Sequence, residues 1–346
     1  MAPQESPQTT NPLPPAVALR HMLYGYRISQ SIYVAAKVGI ADVLKDGPKS
    51  SDELATAVGA HPDALHRLLR VLASVDIFAQ VDQRRFTLTP LGALLQTDVP
   101  GSLWGTAVLT GEWWWQAYGE LLYSITTGKP AHDHVYGMRN FEYFAQHPDI
   151  GQLFHKGNAA RRGPVSLAVA AAYDFTGVPL LIDVGGGAGD LIAVILKANP
   201  AMRGVVFDLP YILDDARALV EAEGVAARCD VVAGDFFASV PTGGHAYILR
   251  SVIHDWDDAH AVAILKNCHH AMQGQGKLLL VERVIPERAE QAPQVVLADL
   301  EMLVMTPSGR ERTEAEFRGL FTAAGFKPTN IVPTQSEFLI IEGVPV

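Results

Sequence analysis

The sequence predicts an α/β domain built on a largely parallel sheet that closes with an antiparallel hairpin, preceded by a mostly helical winged-helix domain. Three observations carry this. From about residue 178 short apolar runs alternate with helical segments. Near residue 50 two helical stretches are followed by a two-stranded ribbon. The chain ends in KPTNIVPTQSEFLIIEG, two strand-like runs joined by a short polar turn. Strands alternating with helices argue a parallel sheet, and a length of 346 residues suggests two domains.

Taken in order, residues 1–15 are rich in Pro, Gln and Thr, lack the basic and apolar regions of a signal peptide, and are expected to be a flexible tail. From Ala16 to about Leu44 the pattern is helical, with Leu19, Met22, Leu23 and Tyr26 at i, i+3, i+4, i+7 spacing. The stretch SIYVAAKVGIADVL is apolar on most faces, so it is expected to be buried in its own domain or against a partner. Ser50 and Glu53 form a capping box that opens a short helix. A second helix starts near Pro62 and aligns Leu65, Leu68, Leu69 and Leu72. The runs DIFAQV and RFTLTP follow as strands joined by the turn DQRR, which completes a winged helix over 16–110. Residues 111–177 read as a helical linker and pocket segment dense in aromatics; its run Trp113, Trp114, Trp115 suits a core or dimer interface better than a substrate contact. Residues 178–346 carry the sheet.

Composition narrows the function. A net charge of −10 argues against holding nucleic acid. Arg67, Arg70, Arg84 and Arg85 are the only support for a DNA-binding winged helix, and Asp63, Asp76 and Asp82 nearly cancel them. Cys229 and Cys268 lie far apart, which suits a reducing cytoplasm, and no apolar run is long enough to span a membrane. His132 and His134 have no evident third ligand, so no metal is expected.

The stretch LLIDVGGGAGDLI, residues 180–192, reads as strand, glycine turn and helix. Gly185 and Gly187 bring the backbone close to a ligand. A dinucleotide fold would place a third glycine where Asp190 stands, which weakens an NAD-dependent oxidoreductase, and no Gly-Lys-Ser/Thr follows to make a P-loop. Asp183 and Asp190 flank the turn with negative charge, suiting a ligand with cationic groups and no phosphate. Asp208 ends the next strand, with Leu209 beside it, where an acid can take ribose hydroxyls. Asp235 and Phe236, in GDFF, end a third strand; one can accept from an exocyclic amine while the other stacks on a base. Ligands of such sheets bind at the carboxyl ends of the strands.

The fourth strand runs into YILRSVIHDWDD, placing His254 on that ligand side with Asp255 after it. Arg250, four residues earlier, can hold a ligand carboxylate. Glu282 ends the fifth strand and Glu311 lies in the loop PSGRERT. Either glutamate can accept from a histidine N–H, fixing its tautomer and raising its basicity.

In order and spacing, the motifs DVGGGAGD, VVFDLP, GDFF, LRSVIHDWDD, LLLVERVIPE and SGRERTEAEFRGLFTAAGF resemble the S-adenosylmethionine-dependent small-molecule O-methyltransferases, the plant caffeate type and its bacterial natural-product relatives. The resemblance runs from about Ala16 to the end. It implies a Rossmann-like methyltransferase sheet, a homodimer formed through the N-terminal domain, and S-adenosyl-L-methionine as cofactor with S-adenosyl-L-homocysteine as product. The acceptor would be the hydroxyl of an aromatic small molecule from secondary metabolism, such as antibiotic biosynthesis. Gly185 would lie against the methionine part of the cofactor, Asp208 at the ribose, Asp235 and Phe236 at adenine, and Arg250 where a lysine usually reaches the amino-acid end. His254 would be the general base, flanked by Glu282 and Glu311, and Met302 would pack on the acceptor ring. Two positions depart from the plant pattern. Asn158 stands where a second ring-clamping methionine is expected, and Thr306 where some members have asparagine. The same scaffold in other relatives methylates nitrogen or catalyses a step other than methylation.

Overall fold

The computed structural model describes residues 13–346, apart from the side chains at 141, 145, 152, 155, 156 and 158–161. The chain divides into two compact units between Trp113 and Trp114.

In the first unit the stretch expected as one helical run is three helices, Pro15–Leu23, Tyr26–Lys37 and Ile40–Leu44, interrupted at Gly25 and Gly39. Glycine is a poor helix former, and two of them divide a pattern that periodicity alone reads as continuous. Burial also differs along it. Ala35, Ala36, Ile40, Ala41 and Leu44 are buried, whereas Pro15–Leu23 buries nothing and leaves Met22 78% exposed. The capping box forms as expected: Ser50 Oγ accepts from the Glu53 N–H at 3.1 Å, and the Glu53 carboxylate accepts from the Ser50 N–H at 2.6 Å. The helix Pro62–Ala73 buries Leu65, Leu69 and Leu72. The ribbon has three strands rather than two. Lys49–Ser50 (β1) pairs with Arg85–Leu88 (β3), which also pairs with Phe78–Gln80 (β2), all antiparallel. The wing arginines are engaged locally: Arg84 pairs with Asp52 at 2.9 Å, and Arg85 donates to the Pro48 carbonyl at 2.7 Å.

The second unit holds a seven-stranded sheet made of Leu180–Val184 (β4), Arg203–Asp208 (β5), Cys229–Ala233 (β6), Ala246–Arg250 (β7), Lys277–Glu282 (β8), Phe326–Pro333 (β11) and Leu339–Pro345 (β12). Its order is β11-β12-β8-β7-β4-β5-β6. β4 to β8 are parallel, and the terminal hairpin inserts β12 antiparallel to β8. Strands covered on both faces read as continuous apolar runs, which is why LLIDV and KLLLVE lack alternation. One face is covered by the helices Asp258–Met272 and Glu314–Ala323. The other is covered by Asp190–Ala198, Leu213–Ala222 and the end of Pro148–Ala172. Val284–Ile285 (β9) and Arg312–Thr313 (β10) form a short parallel ladder apart from the main sheet, with Arg312 opposite Val284. That ladder brings the loop before β10 back beside the end of β8. Among the described residues no helix is long and apolar enough to cross a membrane.

Candidate active site

The carboxyl ends of β4, β5, β6, β7 and β8 carry the residues singled out from the sequence. β4 ends at Val184, and Gly185 and Gly187 turn the chain at φ of 71° and 57°, left-handed values that a side chain would disfavour. A Cβ at Gly185 would meet the Val252 side chain at 2.8 Å, whereas one at Gly187 would meet nothing closer than Arg162 at 3.6 Å. Gly187 is therefore the more open surface of the turn. Asp208 fixes that surface from the neighbouring strand. Its two oxygens accept from the Gly187 N–H at 2.8 Å and the Leu209 N–H at 2.7 Å, leaving each oxygen further lone pairs.

Asp235 lies just past β6 on the same edge as Asp208, since Asp208 is in register with Ala233. Its carboxylate accepts from the Phe237 N–H at 2.8 Å. Phe236 packs edge-on against Phe237 and Trp256, with centroids 5.0 and 6.1 Å away. Asn267, which the sequence reading did not single out, holds the turn by donating to the carbonyls of Phe236 and Phe237 at 2.8 and 2.9 Å.

Two expectations about charge change here. Arg250 is not a free cation: it makes a bidentate pair with Asp190 at 2.9 Å to each oxygen, and Ser166 bonds to both partners at 2.6 Å. Asp190 is consequently not a bare negative flank, and its carboxyl is held below the usual range because Arg250 and Ser166 outweigh its burial. Among the described residues no hydrogen-bond donor reaches the second oxygen of Asp183. It is wholly buried, and burial pushes it up to about 7, against the pull of Arg250. A buried carboxylate oxygen without a partner, beside a glycine turn and Asp208, fits a ligand bearing ammonium and sulfonium groups together with hydroxyls.

The corner that holds His254 follows β7. Ser251 takes a left-handed φ of 53°, and Ile253–Asp255 form a single 3-10 turn, so His254 sits on a turn rather than on the strand. Its ring Nδ1 donates to Glu311 Oε1 at 3.2 Å, and Nε2 lies 3.6 Å from Asp255 Oδ1. The two glutamates divide their work. Glu311 holds the ring, while Glu282 Oε1 accepts from the backbone N–H groups of Val252 and Ile253 at 3.1 and 2.9 Å. The second oxygens of Glu282 and Glu311 are buried without partners among the described residues. His254, Glu282 and Glu311 each bring one ligating atom within 4.8 Å of the others.

Burial disfavours the His254 imidazolium, but Asp255, Glu282 and Glu311 together outweigh it and push the ring up to about 10. Glu282 goes up to about 7, because burial and Glu311 outweigh the pull of His254.

The segment Arg310–Arg312 grips this turn at three points. The Arg310 N–H donates to the His254 carbonyl at 2.8 Å, Glu311 takes the ring, and Arg312 donates to the carbonyls of Ile253 and Trp256 at 2.9 and 2.7 Å. Arg312 is fully buried and also pairs with Asp258 at 2.8 Å. The Glu311 N–H donates to Asp299 at 2.9 Å. Glu311 is legible as a site residue in the sequence, whereas for Arg310 and Arg312 the one sign is the charge density of RER itself.

Beside His254 opens a cavity of about 220 Å³, walled by Trp114, Phe154, Met302, Met305 and Phe338 among others. Met302 and Asp255 line it. Thr306 lines it too, but its hydroxyl donates to the Met302 carbonyl at 2.8 Å and accepts from the Gly309 N–H at 3.0 Å, so it closes a helix end. The Asn158 side chain lies outside the described residues. Arg283 reaches Glu337 at 3.0 Å and Glu311 at 3.6 Å, over the ring of Phe338. Trp113 is buried in the first unit, and Trp114 lines the cavity in the second.

Comparison with known proteins gives the family and the fold. The O-methyltransferase domain matches residues 118–327, and the O-methyltransferase dimerisation domain matches residues 20–98. The chain is 41% identical to the phenazine O-methyltransferase PhzM of Lysobacter antibioticus over 96% of its length and 97% of that protein. Its fold resembles the crystal structure of LaPhzM with a TM-score of 0.91, at 40% identity over 96% of this chain and 100% of that one. It also resembles the O-methyltransferase NcsB1 from neocarzinostatin biosynthesis, solved with S-adenosylmethionine and 2-hydroxy-5-methyl naphthoic acid. There the TM-score is 0.79 and the identity 32%, over 92% of this chain and 96% of that one. Two relatives at 33% and 34% identity are named for methylation of nitrogen.

Proposed function

The chain belongs to the S-adenosylmethionine-dependent O-methyltransferases, and from that premise we propose that it methylates a phenolic hydroxyl of a flat aromatic secondary metabolite, with His254 as general base. The observation that carries this reading is the hydrogen bond from His254 to the buried Glu311 at the wall of the cavity. It fixes the ring with Nδ1 occupied by its proton and Nε2 as the basic edge.

Bound S-adenosylmethionine supplies an electrophilic methyl carbon on a sulfonium. The residues that would hold it are Gly185, Gly187, Asp183, Asp208, Leu209, Asp235 and Phe236. Arg250 would act through Asp190, shaping the helix start rather than touching the ligand.

His254 takes the phenolic proton at Nε2, and Asp255, Glu282 and Glu311 stabilise the imidazolium that results. A phenol has a pKa of about 10, and His254 is itself pushed up to about 10, so the transfer is close to balanced. In neutral solution His254 carries a proton before the acceptor arrives. Phenol meeting neutral His254 and phenolate meeting the imidazolium give the same complex, which holds one proton fewer than the free partners. Base assistance of this kind is typically worth ~10²–10⁴-fold.

The test is a mass-shift screen with S-adenosylmethionine and a panel of phenols and aromatic polyketides, looking for the gain of one methylene. His254→Ala is expected to cut turnover by at least about 100-fold with cofactor affinity nearly unchanged. A wild-type rate in that variant would sink the base assignment.

The homodimer is supported by the dimerisation-domain match and by Leu19, Met22 and Leu23, which stand exposed together on one helix. A monomeric mass in light scattering would count against it.

A further inference from the structure

Among the described residues, several polar groups at the cavity wall are engaged by the protein, while two buried oxygens are not: Glu311 Oε2, beside His254, and Asn140 Oδ1, on the other wall. Arg250 is bound to Asp190, Arg283 to Glu337 and Glu311, and Thr306 closes a helix end. Asn140 lines the same cavity, is only 9% exposed, and has a buried amide oxygen with no hydrogen-bond partner among the described residues. Local structure does not account for it. Asn140 opens the helix Asn140–Gln146, whose cap position is Arg139, and no side chain caps that helix. One turn further along, Phe144 is buried against Phe154, with ring centroids 4.6 Å apart. An amide oxygen is thus held in an aromatic wall, and such groups are rarely left unsatisfied.

We propose that Asn140 is a specificity-determining residue whose amide oxygen accepts a hydrogen bond from an N–H or O–H that the acceptor carries in addition to the hydroxyl that is methylated. The inference rests on reading the cavity as the acceptor site. The substrate class is then a flat aromatic with two polar ends, one presented to His254 and the other to Asn140. A simple monophenol of the same size satisfies only the first. Sites built around a hydrogen bond reject analogues lacking the partner group, because the protein's own buried group stays unpaired.

The test compares kcat/KM for the set of dihydroxynaphthalenes with that for 1-naphthol and 2-naphthol, by formation of S-adenosylhomocysteine. The wild-type protein is expected to favour at least one dihydroxynaphthalene by at least about 10-fold. Asn140→Ala should reduce that preference to within about threefold, losing rate on the diol and little on the naphthols. Asn140→Asp, which keeps an acceptor oxygen, should retain it. Unchanged binding of S-adenosylhomocysteine by calorimetry shows that each variant is folded. A preference that survives Asn140→Ala, or an equal loss on both kinds of acceptor, overturns the proposal while methyl transfer by the wild type leaves the wider reading standing. Failure of the wild type to methylate any of them overturns the reading of the cavity and the proposal with it.

Discussion

Replacing Glu311 by Gln should move the titration of His254 by an amount large enough to read directly. The ring stands at about 10 against an ordinary 6.5 because three acids outweigh the cost of burial. Glu311 alone among them is bonded to the ring, at 3.2 Å. An opposite charge at such range shifts a titrating group by about 1–3 units. Glutamine keeps an acceptor oxygen for Nδ1–H but removes the charge, so His254 should fall by that amount. The sign is fixed: losing an anion destabilises the imidazolium, so the proton leaves at lower pH. At pH 7 the neutral ring would rise from about one part in a thousand to between roughly one part in a hundred and one half. Nitrogen-15 NMR of the imidazoles reads the titration, and His254→Gln identifies the signal among the twelve histidines. In turnover, kcat/KM should rise with pH towards about 10 in the wild type and level off earlier in Glu311→Gln. A wild-type signal titrating near 6.5, or one unmoved by Glu311→Gln, would refute the argument that these acids hold the proton.

Asp208→Ala removes the acceptor for two backbone amides and the group proposed to take the ribose. It should weaken S-adenosylhomocysteine binding by roughly 10- to 100-fold, and unchanged affinity in calorimetry would count against the ribose assignment. Arg312→Met frees two buried carbonyls of the His254 turn, while the exposed Asp258 keeps Arg310 as a partner. A loss of about 1–3 kcal/mol is expected in urea unfolding, with turnover falling further than acceptor affinity; Arg312→Lys should recover only part, since it cannot reach both carbonyls with a planar fork.

What could be read in advance was local. The glycine turn, the acids at successive strand ends, the Ser50 capping box and the terminal hairpin all announce themselves within about a dozen residues, where turn chemistry and period decide the conformation. What could not be read depended on partners far along the chain. Arg250 looked available because Asp190 lies 60 positions away, and nothing near either residue signals their pairing. The division of labour between Glu282 and Glu311 follows from the β9–β10 ladder, whose two-residue strands carry no recognisable pattern. β1 is equally short and exists only because β3 is there to receive it. Periodicity also misread residues 16–44 as continuous, since the apolar spacing carries across two glycines that the backbone does not.

The grip of residues 310–312 on one short turn has a consequence for how this protein can change. The reacting corner hangs from strand ends and is fastened by a backbone amide, a carboxylate and a guanidinium at once. The wall proposed to meet the acceptor comes largely from helices, through Trp114, Asn140, Phe154 and Met302. Substitutions in that wall can therefore alter which molecule is accepted without disturbing the proton-handling geometry. The two properties are separable by construction, and a library confined to the helical wall should yield altered substrate choice while the alkaline titration of His254 stays where it is.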